Sequence, residues 1–440
     1  MNFYNLKKSF ALAKDVEIDK DKSGNFNIFV TGNEDSGIYE RFLFPNFEKK
    51  LGSYVIVDYN YKLYNETKEL FIENNYNINK IDLNTEYNPF MYMKKYDDLN
   101  ALAKTLWKNS SIIKNEKVSY YVGASQEIFR LVCIYVLNKV QDENKNINYV
   151  KRIIKKLKQN DFDYFKKIFF KYSKIDDLLY IYDLNSEDDY QNILDLILKI
   201  FQEIPQNLLQ KEIRSKIIDC TKLDTQLSVL FLEMSTYNGF NSLLCMQIQK
   251  TLYDYSDSKN GLDIPIIFIY NKLEKIGYVD NLPFDMVTTH NRNMLDIIIF
   301  EDVNSVIELY EKNFDVLINN CNFGVIFKTN FNRNIDYIAN AIKQENLESL
   351  YERINQTEDS CIIYQKGIKT SVENQINEHQ YEESENDFNI NIKDENSIKP
   401  LENIETREDV WKALKIDIDN ETDSIKKEHL IKIYNAFKND

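Results

Sequence analysis

Two glycines open the chemical reading. Gly32 and Gly37 stand five apart in Asn27-Ile-Phe-Val-Thr-Gly32-Asn-Glu-Asp-Ser36-Gly37-Ile38-Tyr39-Glu40, where an apolar run of strand length ends. A phosphate-binding loop has this frame: Gly, four residues, then Gly-Lys-Ser/Thr, between a strand and a helix. Its backbone N–H groups surround the phosphates, the lysine reaches the outer phosphate oxygens, and the hydroxyl holds Mg²⁺. Here Ile38 stands at the lysine position and Tyr39 at the hydroxyl position, while Ser36 and Gly37 survive. Glu34, Asp35 and Glu40 add negative charge where a triphosphate would bring more. Two glycines at this spacing also serve an ordinary strand–helix turn.

Metal chemistry finds little to work with. Asp19-Lys-Asp21-Lys-Ser23-Gly24 matches the first half of a calcium loop, but the bidentate position falls on Val30, so a polar turn is expected. The three histidines, His290, His379 and His429, exclude a His-rich centre. Cys133, Cys220, Cys245, Cys321 and Cys361 are far apart with no Cys-x-x-Cys pair, which reads as reduced, buried thiols. No metal site is expected.

The elements that would position such a loop alternate in type. Phe26 to Val30, Tyr54-Val-Ile-Val-Asp58 and Ile78 to Leu83 read as strands, followed by helical spacing from about Tyr96 to Pro205, such as Ile128, Leu131, Ile134, Leu137. Strand patterns return at Leu227 to Leu232, Ile264 to Tyr270, Leu295 to Phe300, Phe323 to Lys328 and Cys361 to Tyr364, with helical stretches between them. Strands alternating with helices predict parallel βαβ units, and strands on both sides of the helical block predict an inserted domain. The expected division is a lead-in (1–24), an α/β domain (25–95 and 206–374), an all-α insertion (96–205), an acidic, disordered linker (375–404) and a helical tail (405–440). The tail reads equally as a docked hairpin or as a partner-binding helix pair.

Composition bounds the class. At 440 residues, 43% apolar and 28% charged, the chain has ordinary globular usage and room for two or three domains. Only 10 Gly and 6 Pro exclude collagen-like, propeller-like and flexible-linker readings. Lys and Arg number 55 against 70 Asp and Glu, a net charge of −15 that repels a phosphate backbone except at a local basic patch. No apolar run approaches the ~18 residues of a membrane span, and the first residues lack a signal-peptide core, so a cytoplasmic location is expected.

Several further segments, in order, resemble one family. Phe42-Leu-Phe-Pro45-Asn46 follows the loop, Tyr54-Val-Ile-Val-Asp58 follows that, then Tyr87-Asn88-Pro89-Phe90, Ile264 to Gly277, Thr288-Thr-His290-Asn-Arg292 and Asn319-Asn-Cys321. Over roughly residues 25 to 370 this is similar to the type IV coupling proteins, the TraG-like conjugative DNA-transfer ATPases. The resemblance implies a RecA-like P-loop NTPase fold with a mainly parallel sheet and an inserted all-α domain. It also implies lost chemistry. Asn271 and Lys272 stand where the family has Asp-Glu, the first for Mg²⁺ and the second for the attacking water. The sensor glutamine falls on Glu301, the basic pair on His290 and Arg292, and the Pro-Lys-Gly after Asp58 is Tyr59-Asn60-Tyr61.

Phosphoryl transfer rests on positioning and charge, and losing one such group costs on the order of 10²–10³ in rate. With Ile38, Tyr39, Asn271 and Lys272 all altered, no catalytic residue and no ATP or Mg²⁺ cofactor is expected. The expected role is a pseudo-ATPase adaptor or scaffold in a conjugative or type IV secretion apparatus. Its partners would be an active coupling-protein paralogue, relaxase or effector cargo, and membrane attachment would come through partners. The alternatives are a motor with non-standard catalytic residues and a DNA-binding module. For the latter, Lys151, Arg152, Lys155, Lys156 and Lys158 form the candidate contact, with Ile153, Ile154 and Leu157 on the other side. The aromatic run from Asp163 to Phe170 reads as helix-packing core rather than a base-stacking platform.

Overall fold

A computed structural model describes residues 6–376 apart from 8, 20–25, 84–86, 116–118, 170–186, 210–218, 220, 330, 331, 345, 358 and 369. The tail, all but the first two residues of the expected acidic linker, Cys220, and residues 20–25 of the turn that begins at Asp19 lie outside the described residues. No helix among the described residues is long and apolar enough to cross a membrane.

Eleven strands are described: β1 Ser9–Ala13, β2 Val16–Asp19, β3 Ile28–Thr31, β4 Ser53–Asp58, β5 Asn77–Asp82, β6 Ser228–Glu233, β7 Ile266–Tyr270, β8 Met294–Phe300, β9 Phe323–Ile326, β10 Ser360–Gln365 and β11 Ser371–Asn374. Nine of them make one sheet in the order β11-β10-β9-β3-β8-β7-β4-β6-β5. From β9 through to β5 every pairing is parallel; β9–β10 and β10–β11 are antiparallel. Burial on both faces explains why β3, β4, β6, β7 and β8 read as continuous apolar runs rather than alternating ones. The edge strand β5 is less buried, with only Ile78 and Ile81 buried among more exposed residues. The α/β class with a mainly parallel sheet is as expected.

The β1–β2 hairpin and β11 are additions to the sequence reading. β1 is tied down by Asn46. Its carboxamide accepts from Ala11 N–H at 2.8 Å and donates to the Ala11 and Phe42 carbonyls, both at 2.8 Å. The Tyr54 hydroxyl donates to the Asn46 carbonyl at 3.3 Å. Phe10, Phe42, Phe47, Tyr54 and Phe71 pack together in the same core.

Two compact units emerge from the contacts: the described residues of 1–87 with 218–376, holding the sheet, and those of 88–209, which are helical. This division falls at 87/88 and 217/218, where the sequence pattern draws it at 95/96 and 205/206. In the helical unit the Ser119–Lys139 helix packs against Tyr96–Lys108, Ile147–Leu157, Phe162–Phe169 and Glu187–Glu203. Ile128, Phe129, Leu131, Val132, Cys133 and Val136 are all fully buried, as a helix surrounded on several sides requires. Asn88 caps the short Pro89–Tyr92 turn, accepting from Phe90 N–H at 3.1 Å, and donates to the Lys145 carbonyl at 2.9 Å. In the sheet unit, Tyr87 donates to Gln247 at 2.6 Å. The Pro-Asn and Tyr-Asn-Pro-Phe segments thus act as structural clamps.

Candidate functional site

In a parallel sheet, ligand crevices lie beyond the carboxyl ends of the strands. That edge here carries Gly32 after β3, Asp58 ending β4, Glu233 ending β6, Asn271 and Lys272 after β7, and Glu301 after β8. Strand order places β8 between β3 and β7, so the Gly32 loop, Glu301 and the Asn271-Lys272 turn share one stretch of the edge.

The loop itself is short and folded inward. Glu34–Ser36 make one 3-10 turn, with Ser36 N–H donating to Asn33 O at 3.1 Å and Asn33 N–H to Lys328 O at 2.9 Å. Gly37 has φ +89°, the left-handed region that a glycine enters at no steric cost. A Cβ on Gly32 would lie 2.6 Å from the Phe327 Cβ, so the close approach of the loop to the segment just after β9 also requires glycine. Tyr39–Leu43 then form a π-helical turn that passes into Phe44–Glu48. Ile38 and Tyr39 are buried, so the two positions where Lys and Ser/Thr were sought point into protein.

Tyr39 and Asn271 bond each other directly. The hydroxyl lies 3.1 Å from Asn271 Oδ1, and the Asn271 Nδ2 is 2.9 Å from the hydroxyl oxygen. Burial pushes the Tyr39 phenol well above its ordinary range. Lys272, at φ +57° and only 8% exposed, extends its ammonium to Glu34 Oε2 at 2.8 Å and to Glu301 Oε1 at 3.7 Å. Glu34 also pairs with Lys62 at 3.2 Å, and Lys62 lies over the Tyr39 ring at 5.0 Å. The hydrogen bond from Lys272 holds the Glu34 carboxyl below the usual carboxylate range. Two residues on, burial raises Glu274 to about 7, helped by the neighbouring Glu301 charge. Its Oε2 is buried without a hydrogen-bond partner, while Oε1 is 3.5 Å from Glu301 N–H.

Next along the edge, Asp58 and Glu233 face each other in register and hold the turn before the Lys62–Glu73 helix. Asp58 accepts from the backbone N–H groups of Tyr59 (2.8 Å), Leu63 (3.0 Å) and Tyr64 (2.8 Å). Glu233 accepts from Asn60 (2.8 Å) and Tyr61 (2.9 Å), both left-handed at φ +56° and +54°. Burial raises Asp58 to about 6 against those donors, and raises Glu233 to about 7 with Asp58 and Asp82 adding to the effect. Asp58 therefore orders a turn. Arg292 is engaged in its own chain: Nε and Nη2 reach the two Asp257 carboxylate oxygens at 2.8 Å each, and the guanidinium covers the Tyr253 ring at 4.4 Å. His290 is exposed.

Glu233, Glu274 and Lys62 were not singled out from the sequence. For Glu233 a signal existed: it ends an apolar strand as Asp58 does. Glu274 carried none, because its burial depends on the fold of the turn after β7.

In the helical unit, Ile147–Leu157 is amphipathic, burying Ile147, Val150, Ile154 and Leu157. Ile153, expected on that face, is half-buried. Arg152, Lys155 and Lys156 are exposed, whereas Lys158 pairs with Asp195 and Lys151 is partly buried with its ammonium 3.4 Å from Phe201 O. Lys158 and Asp195 line a cavity of about 700 Å³ with Tyr121 and Lys199. Phe165 and Phe169 are core residues, stacked on each other.

At the positions the resemblance assigns to ATP·Mg²⁺, the chain's own side chains are engaged with one another. The loop carries no lysine, the two metal-side positions bond each other, and an ammonium already pairs with the carboxylates around it.

No family model and no curated protein matches the sequence. Among solved structures, the plasmid coupling protein TrwB with the GTP analogue GDPNP matches at TM-score 0.59 and 9% identity, over 87% of this chain and 92% of that one. TrwB with ADP and Mg²⁺ matches at TM-score 0.59 and 9% identity, over 86% and 92%. VirB4 of Thermoanaerobacter pseudethanolicus matches at 0.56 and 11% identity, over 85% and 97%. A mainly parallel sheet, a helical unit inserted between β5 and β6, and a loop after β3 make this the RecA-like P-loop NTPase fold that TrwB and VirB4 share.

Proposed function

We propose that this chain is a non-hydrolysing, coupling-protein-like component of a type IV secretion or conjugative transfer apparatus, acting as an adaptor or scaffold. The observation that carries this reading is the Tyr39–Asn271 hydrogen bond. These are the positions where hydroxyl and carboxylate would hold Mg²⁺, and here they close on each other. The charge around them argues the same way: Glu34 and Glu301 face a site that would receive a polyanion, and the ammonium between them is already paired to both. Like charges ~4 Å apart repel by about 4 kcal/mol at an effective dielectric of 20. TrwB, which shares the fold, is known with GDPNP and with ADP and Mg²⁺; this chain keeps the frame of that site and replaces its chemistry. The partners are transfer-apparatus proteins: an active paralogue, relaxase or effector cargo. Affinity capture of the full chain from a donor cell is expected to recover such components. Capture that recovers none would overturn the adaptor reading.

A second reading draws on Glu274. A buried carboxyl raised to about 7 is poised as a general base, so hydrolysis with displaced groups remains a defined alternative. Phosphate release that exceeds a denatured control and disappears in Glu274→Gln would establish it in place of the first.

A further inference from the structure

The Lys272 ammonium sits where three chain segments meet: the Gly32–Gly37 loop through Glu34, the turn after β7 that bears it, and the end of β8 through Glu301. We propose that Lys272 is an internal counter-ion latch that takes the seat of the cation in this crevice and holds the loop closed without ligand. The proposal rests on the reading that the loop takes no triphosphate, and it adds what keeps the loop ordered instead.

Three features carry it. The Lys272 side chain is 9% exposed while its partners are 45% and 26% exposed, so the cation is the enclosed member and the carboxylates converge on it from outside. An enclosed ammonium without those partners would carry the full desolvation penalty of a charge. Second, Lys272 adopts a left-handed backbone, a conformation costing about 1 kcal/mol or more for a residue with a Cβ, which persists when surrounding structure requires it. Third, Tyr39–Asn271 ties the π-helical turn that follows the loop to the turn after β7, and Lys62–Glu34 ties the loop to the start of the Lys62–Glu73 helix, so with Lys272–Glu34 the segment is fastened through three side-chain contacts, none needing a phosphate.

The consequence is a loop whose shape does not depend on nucleotide, so a partner docking on this edge would meet one surface at all times. Its outward residues, Glu34 and Asp35, are exposed and acidic.

Amide hydrogen exchange on the full chain tests this, using Lys272→Met, with Lys275→Met as a control on the exposed neighbouring position. Exchange across residues 33–43 is expected to rise about tenfold in Lys272→Met, the effect of losing a charged hydrogen-bonded contact, with the strands β4 and β6 unchanged. Lys275→Met should match the parent. Adding about 10 mM Mg²⁺ alone to Lys272→Met is expected to restore much of the protection, because Glu34 and Glu301 then lack the cation they share. Unchanged exchange at 33–43, or an equal rise across the whole sheet, would overturn the latch. Failure of Mg²⁺ to restore protection would overturn the claim that the ammonium stands in for a cation. Slowed exchange at 33–43 in the parent on adding Mg·ATP would instead defeat the non-binding reading, leaving the Lys272→Met result to judge the latch by itself.

Discussion

Asp58, Glu233 and Glu274 set the pH behaviour of the sheet edge, because all three hold protons at pH values where an unfolded chain releases them. Their raised values of about 6, 7 and 7 compare with ordinary values of 3.8, 4.5 and 4.5. Across the window between those values the folded state binds more protons, so stability falls as pH rises through 6 to 7. Glu34 works the other way: its lowered value contributes stability that is lost as pH falls through the acid range. The melting temperature is therefore expected to be a few degrees higher near pH 5.5–6 than at pH 8, with each raised carboxyl adding at most about 1.4 kcal/mol per pH unit. Scanning calorimetry across that range checks it, and Glu274→Gln should flatten the slope. Asn46 makes a second residue-scale prediction. Asn46→Ala leaves the Ala11 N–H and two carbonyls without their carboxamide partner, costing about 3 kcal/mol in urea unfolding.

At the level of elements, the helix Ile147–Leu157 offers a smaller basic face than its sequence suggests. Lys158, just past its end, is exposed but paired with Asp195, and Lys151 is partly buried, so Arg152, Lys155 and Lys156 carry the basic face of the helix. If that face contacts DNA, Arg152→Ala/Lys155→Ala/Lys156→Ala weakens binding equally for all sequences. It also lowers the salt slope by about 2 to 3, read from titrations at several salt concentrations. Most sheet strands were legible because buried parallel strands write unbroken apolar runs, as in Phe268-Ile269-Tyr270. The β1–β2 hairpin and β11 were not, since Ser371–Asn374 holds a single apolar residue and β1 is fixed by the distant Asn46 carboxamide. The loop's frame was legible from Gly32 and Gly37. What fills it was not, because the Tyr39–Asn271 and Lys272–Glu34 contacts join residues more than 230 positions apart.

For the molecule as a whole, the chain has the fold of TrwB and VirB4, and side chains of the chain itself bond one another across the carboxyl edge of its sheet, where we propose that no nucleotide binds. The fold is carried by contacts that need no ligand: buried strands, the Asn46 clamp, and the Asp58–Glu233 hold on the turn before the Lys62–Glu73 helix. The edge is carried by Ile38, Tyr39, Asn271 and Lys272, the first two buried and the last three engaged with neighbouring side chains. Equilibrium titration of the full chain with a fluorescent ATP analogue and Mg²⁺ bears on this most directly. The account predicts no saturable signal up to about 1 mM, weaker than about −4 kcal/mol of binding. Saturable, Mg²⁺-dependent binding in the micromolar range would contradict it.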